Sequence, residues 1–287
     1  MSEPLTLAEA VPLGTVHLQR LLAAAGIRSL VIKGPAFVEL GVRKARQSND
    51  IDLLVAPGDR DVAIRAVVAG GWSGLSPWYP RTLDDVTYSM TFCHPQFPVT
   101  VDLHHHFAGL LSPDAFDVLW RRRGTVDIAH REVQVPHRTD AFVIEALNAL
   151  KSRLPGQWAS VAERVIEHAG DVSADDVVGA AQSLGAMETA SPVIEALGDP
   201  VSLARPSAAY VRWANEAGHE RPRVLLVHLL RRAPWAIPCV VWSRVTPRGV
   251  GVAVGMRGQA ATLEAYPRLL ARRIQTVIAR LHRRVKR

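Results

Sequence analysis

The spacing of apolar residues changes part-way along this chain, and the change divides it near residue 135. Before that point, short apolar runs are separated by turn residues. Leu30-Val31-Ile32, Asp50 to Val55, Val86 to Phe92 and Val99 to Leu103 have the length and β-branched content of strands, as does a stretch near Val126 to Val135. Leu5 to Ala25, Asp59 to Ala69 and residues 114 to 123 carry apolar residues at helical spacing instead. From Thr139 onward the helical period takes over, with Thr139 or Asp140 as N-cap of a run to Leu154. Further helical runs cover 157–169, 175–184, 192–197, 207–217 and 223–232, whereas 243–260 read as a loop. These patterns predict an α/β (α+β) fold. A small mixed-sheet core would occupy residues 1–135 and a helical domain residues 136–287.

Polar residues inside the apolar runs carry the chemistry. Asp50 and Asp52 flank Ile51 at the start of the second strand. Side chains alternate along a strand, so both carboxylates share one face while Ile51 and Leu53 take the other. Two like charges so close favour a cation between them, and oxygen ligands favour Mg²⁺. Val101-Asp102-Leu103 places a third carboxylate in another apolar strand, where it too calls for solvent or a cation. Lys33-Gly34-Pro35 follows the first strand. Gly34 permits a tight turn and Pro35 suits a first helical position. Such a turn presents free N–H groups, and Lys33 adds a point charge suited to phosphate.

Lys33-Gly34, then Asn49-Asp50-Ile51-Asp52-Leu53-Leu54-Val55, then Val101-Asp102-Leu103-His104 resemble the polymerase-β-type nucleotidyltransferases. The closer resemblance is to a bacterial family of largely uncharacterised nucleotidyltransferases, whose motifs run Lys-Gly, Asp-Ile-Asp-Leu-Leu-Val and Asp-Leu-His. It spans about residues 15 to 107. That family tends to carry a His-Gly-x-Lys-His-like helix after the core. Here the matching stretch, Asn148-Ala149-Leu150-Lys151-Ser152, keeps only the lysine.

The resemblance implies an enzyme that moves NMP from an NTP to an acceptor hydroxyl or phosphate and releases pyrophosphate. Asp50, Asp52 and Asp102 would be the catalytic carboxylates and would hold two Mg²⁺ ions, with Mn²⁺ as an alternative. Asp102 would double as general base. Lys33, Gly34, Arg46 and Lys151 would bind the nucleotide, and His104 would support Asp102 through a hydrogen bond. The acceptor is left open between a small molecule, a peptide and, for a toxin-like enzyme, tRNA. A non-catalytic nucleotide-binding or scaffold protein is the third reading, and the presence of all three carboxylates counts against it.

Charge adds one feature. Eight of the 34 basic residues, and no acidic one, fall in residues 265–287, so the rest is near neutral at 26 basic against 27 acidic. Leu270, Ile274, Val277, Ile278, Leu281 and Val285 recur there at helical spacing. The stretch reads as a basic amphipathic helix. It would dock on the helical domain with a solvated face, clamp a nucleic-acid backbone, or lie on anionic membrane. Cys93 and Cys239 form no disulfide framework, and no apolar run reaches membrane-spanning length, as expected of a cytoplasmic enzyme. In the run His104-His105-His106, alternation lets at most His104 and His106 converge, which is thin for a dedicated zinc site.

Overall fold

The computed structural model describes residues 5–75, 79–84, 86–168, 172–199, 201, 205–219 and 221–245. The basic stretch 265–287 lies outside these residues, as does the expected loop from 246 onward.

Five strands form one mixed sheet: β1 (Ser29–Val31), β2 (Asp50–Val55), β3 (Ser73–Gly74), β4 (Ser89–His94) and β5 (Phe97–His104). Their spatial order is β1-β2-β5-β4-β3. The central pair, β2 and β5, is parallel, and every other neighbouring pair is antiparallel. Parallel neighbours need a crossover, and here α3 (Arg60–Ala69) and β3–β4 lie between them in sequence.

Alternation along β2 and β5 divides the sheet into two faces. Ile51, Leu53, Val55, Val99, Val101 and Leu103 are all buried on one face, in a cluster shared with α1 (Leu7–Ala24) and α3. Gly14 lets α1 approach closely, because a Cβ there would lie 2.7 Å from Ile51 Cδ1. The other face carries Asp50, Asp52, Leu54, Thr100, Asp102 and His104. Leu54 joins a second cluster formed with the helices that follow the sheet.

Those helices are α5 (Arg138–Lys151), α6 (Trp158–Ile166), α7 (Ala174–Leu184), α8 (Met187–Ala196), α9 (Ala208–Glu216), α10 (Arg221–Arg232) and α11 (Ile237–Val245). They are preceded by α2 (Gly34–Glu39), α4 (Ala115–Arg122) and a hairpin of β6 (Gly124–Ile128) and β7 (Arg131–Val135). The protein is thus mixed α/β with a helical C-terminal region. No described helix is long and apolar enough to cross a membrane.

Several boundaries differ from the sequence pattern for identifiable reasons. The stretch 126–135 is two strands, turned at Ala129 and His130 with φ of 51° and 58°. Two-residue hairpin turns favour Gly or Asn at such positions, and neither is present to signal the turn. β4 starts at Ser89 rather than Val86 because the backbone N–H groups of Val86 and Thr87 both donate to the Leu83 carbonyl, closing a turn. α5 is capped by His137, whose ring nitrogen accepts from the Thr139 N–H, so neither Thr139 nor Asp140 is the cap. Asp140 is turned inward, fully buried, with Arg122 at 3.0 Å. Pro192 lies inside α8 rather than at its start, and residues 243–245 belong to α11 rather than to the loop.

Candidate active site

Pairing of β2 with β5 sets Asp52 directly opposite Asp102, with His104 one step along the same face. Each of the three turns a ligand atom to within 4.8 Å of the other two. Among the described residues this is the one such Asp/Glu/His/Cys group. Asp52 is buried, and its Oδ1 accepts from Lys33 Nζ at 2.6 Å and lies 2.9 Å from His104 Nε2. Asp102 Oδ1 accepts from the Thr91 hydroxyl at 2.6 Å. Asp50 stands at the exposed start of β2, paired with Thr100 and on the same face. It is not among the three groups that converge.

Burial raises the proton affinity of Asp52, but the His104 hydrogen bond and the Lys33 charge outweigh it and hold the carboxyl below its ordinary value. Burial pulls the His104 imidazole below its ordinary value despite the bond to Asp52, so at neutral pH it is an uncharged ring that donates Nε2–H to the carboxylate. The support expected for Asp102 therefore goes to Asp52. Asp102 and His104 stand side by side on one face of β5, and of the two carboxylates it is Asp52 on the neighbouring strand that comes within hydrogen-bond distance of Nε2. His105 faces the other way, buried, and burial together with Arg60 pushes it down to about 3.

Lys33 reaches Asp52 from a strained backbone. Its φ of 79° and ψ of −164° lie in a region normally kept for glycine, at a cost of about 1–3 kcal/mol for another residue. The Ile32 N–H donates to the Asp52 carbonyl at 3.0 Å, extending β1 by one residue and setting the Lys33 side chain beside the carboxylate. Gly34, with φ 61°, continues the turn into α2.

The other expected nucleotide contacts fall in different places. Arg46 lies on an exposed segment, where its charge acts on Glu145 of α5. Lys151, at the end of α5, donates to the Trp213 carbonyl at 3.3 Å and pairs with Glu216 at 3.4 Å. Burial depresses its pKa, with Glu216 opposing.

Three nearby residues belong to no motif. Glu145 is a carboxylate in an otherwise apolar stretch of α5, and burial pushes it up to about 7 against the opposing charges of Arg46 and Lys33. Tyr88 stacks on His104 with ring centroids 6.0 Å apart. Phe107 lies 6.2 Å from His104 and 5.8 Å from Lys33 Nζ. The one sequence signal for Glu145 is its isolation among apolar neighbours. The two aromatics give none.

Hard carboxylate oxygens from paired strands, one imidazole, and a lysine already serving as counter-ion form a donor set suited to a divalent cation beside phosphate. A family model described as uncharacterised nucleotidyltransferase matches residues 11–191. The chain belongs to this family. The protein is accordingly a nucleotidyltransferase.

Solved structures similar to this nucleotidyltransferase include the lincosamide antibiotic adenylyltransferase LnuA, lincomycin-bound, at 14% identity and a TM-score of 0.31, covering 42% of this chain and 77% of that one. The antibiotic-resistance factor ANT(2'')-Ia matches at 14% identity and 0.38, covering 67% and 92%. An antigenic nucleotidyltransferase-like protein from Paracoccidioides brasiliensis matches at 14% and 0.40, covering 70% and 98%. At these values the likeness concerns the fold alone. Among curated proteins, none matches the chain.

Proposed function

We propose that the protein is a Mg²⁺-dependent enzyme that transfers NMP from an NTP to a hydroxyl or phosphate oxygen of a small molecule or peptide, releasing pyrophosphate. The observation that carries this reading is the register of the parallel central pair, which sets Asp52 against Asp102 with Lys33 beside them. Asp52 and Asp102 would hold the metal, with Asp50 at the open end of the same face and His104 fixing Asp52. When bound, the metal would neutralise phosphate charge and lower the pKa of an acceptor hydroxyl.

The chain's own residues have separate tasks. Lys33 meets the β- and γ-phosphate charge, and the Gly34 backbone lets phosphate approach. Arg46 adds positive charge at the mouth. Asp102, held by Thr91, takes the acceptor proton as the acceptor oxygen bonds to the α-phosphorus. The bond from that phosphorus to the bridging oxygen breaks, and pyrophosphate leaves. Residues 1–135 would form the catalytic core and 136–287 the helical domain, working in the cytoplasm where NTPs are supplied.

Calorimetry with each NTP and Mg²⁺ tests this reading, comparing wild type with Asp52→Asn/Asp102→Asn. Metal-dependent binding of one NTP that disappears in the variant is the expected result. Well-folded wild type that binds no NTP would overturn it in favour of a scaffold. A toxin-like action on tRNA would show as NTP-dependent labelling of tRNA that is lost on deleting residues 265–287.

A further inference from the structure

Beside the carboxylate cluster is a cleft with two adjoining lobes of about 200 and 220 Å³, which share Tyr88, Lys151 and Glu216. The segment after β5 and the helices α5 and α9 line the first lobe. The segment before β4 and α5, with residues from the end of α9 and from α10, line the second. Tyr88 and Phe107 form the wall towards the cluster. Tyr88 stacks on His104, and Phe107 lies beside both His104 and Lys33, so a single ring separates the cleft from groups around Asp52.

Resting on the transferase reading above, we propose that this cleft is the acceptor site, and that it takes an uncharged small molecule joining a flat ring face to hydroxyl groups. Three aromatic side chains line it, Tyr88, Phe107 and Trp213, and flat apolar surfaces stack on such walls. Its polar lining includes Asn148, His219 and Lys151, which can bond hydroxyls. Its charge argues against a polycation. Glu216 is the one carboxylate among the described lining residues, and both its oxygens are engaged, with Lys151 at 3.4 Å and His228 at 2.9 Å. An amine-rich acceptor would therefore find no unengaged carboxylate among the described lining residues to pair with. The two lobes together hold a ring with substituents, and a third cavity of about 570 Å³ between α9 and α10 adjoins them at Glu216.

The test uses the full chain and two probes, 4-nitrophenyl β-D-glucopyranoside as an uncharged ring-bearing polyol and kanamycin as a polycation. Binding of each is measured by ligand-observed NMR, and NTP binding is measured separately by calorimetry. Ala209 lines the first lobe from α9, an element that supplies none of the clustered carboxylates or His104, so Ala209→Trp fills the lobe while every metal ligand is kept. The expected result is glucoside binding at least tenfold tighter than kanamycin, lost by tenfold or more in Ala209→Trp while NTP binding is unchanged. Kanamycin binding as tightly as the glucoside, or glucoside binding indifferent to Ala209→Trp, would overturn the proposal. If that variant fails to fold, Ala108→Leu narrows the same lobe and is read in the same way. Wild type that binds the glucoside in the cleft but no NTP would instead count against the transferase reading, which keeps the two failures apart.

Discussion

Lys33 combines two unfavourable choices, a glycine-type backbone and a half-buried ammonium, and both are compensated by Asp52 at 2.6 Å. Replacing it by methionine removes the cation and leaves His104 as the remaining partner of Asp52 Oδ1. The expected outcome of Lys33→Met is an upward move of the Asp52 titration, read by carbon-13 NMR of the carboxyl, with loss of transfer by at least two orders of magnitude. An unmoved titration would show that Lys33 does not govern this carboxylate. Thr91 offers a finer probe, because its hydroxyl donates to Asp102 at 2.6 Å from the facing strand. Thr91→Val keeps the β-branched shape and removes that bond. We expect a thermal midpoint within a few degrees of wild type, corresponding to about 1 kcal/mol, and a transfer rate several-fold lower.

At the scale of elements, the site depends on how closely α1 covers the far side of the sheet. Gly14 faces Ile51, the residue between Asp50 and Asp52 and itself buried. A larger side chain there pushes on the strand that carries the carboxylates. Gly14→Val should therefore destabilise the fold by about 1–3 kcal/mol in denaturant unfolding and slow transfer beyond the effect of stability. An unchanged midpoint would mean that the helix simply shifts. The elements themselves were largely legible. β2, β5 and α3 follow the apolar pattern, because buried strands and amphipathic helices leave strong periodic signals. The β6–β7 turn and the His137 cap were not legible, since each uses a residue type that does not announce its role.

For the whole molecule, buried carboxyls set how stability varies with pH. Burial raises Asp140 to about 6 and Glu145 to about 7, from ordinary values of 3.8 and 4.5. Each holds its proton more tightly when folded. Their contribution is thus fully present below the unfolded values and is lost as pH rises through about 6 and about 7. Asp52 has the opposite sign, because its folded pKa is depressed. Its contribution is present above 3.8 and is lost as pH falls through the lower folded value. Denaturant unfolding at several pH values between 4 and 8 should therefore show a decline with rising pH. That decline should shrink in Asp140→Asn and in Glu145→Gln, and an undiminished slope in both variants would assign it to other groups.

Sequence alone determined the mixed α/β class, the strand positions of Asp52 and Asp102 and the turn at Lys33-Gly34. These depend on local periodicity and on residues next to one another in the chain. Tertiary structure decided which of these groups meet. The register of β2 on β5 brings together residues 50 positions apart in the chain, gives His104 to Asp52 rather than Asp102, and leaves Asp50 at the open end. Packing of α5 and α9 placed Lys151 with Glu216 in the neighbouring cleft, and brought Glu145, which no motif marks, near Lys33. Pairing between distant segments is settled by burial over the whole core, so spacing along the chain does not reveal it.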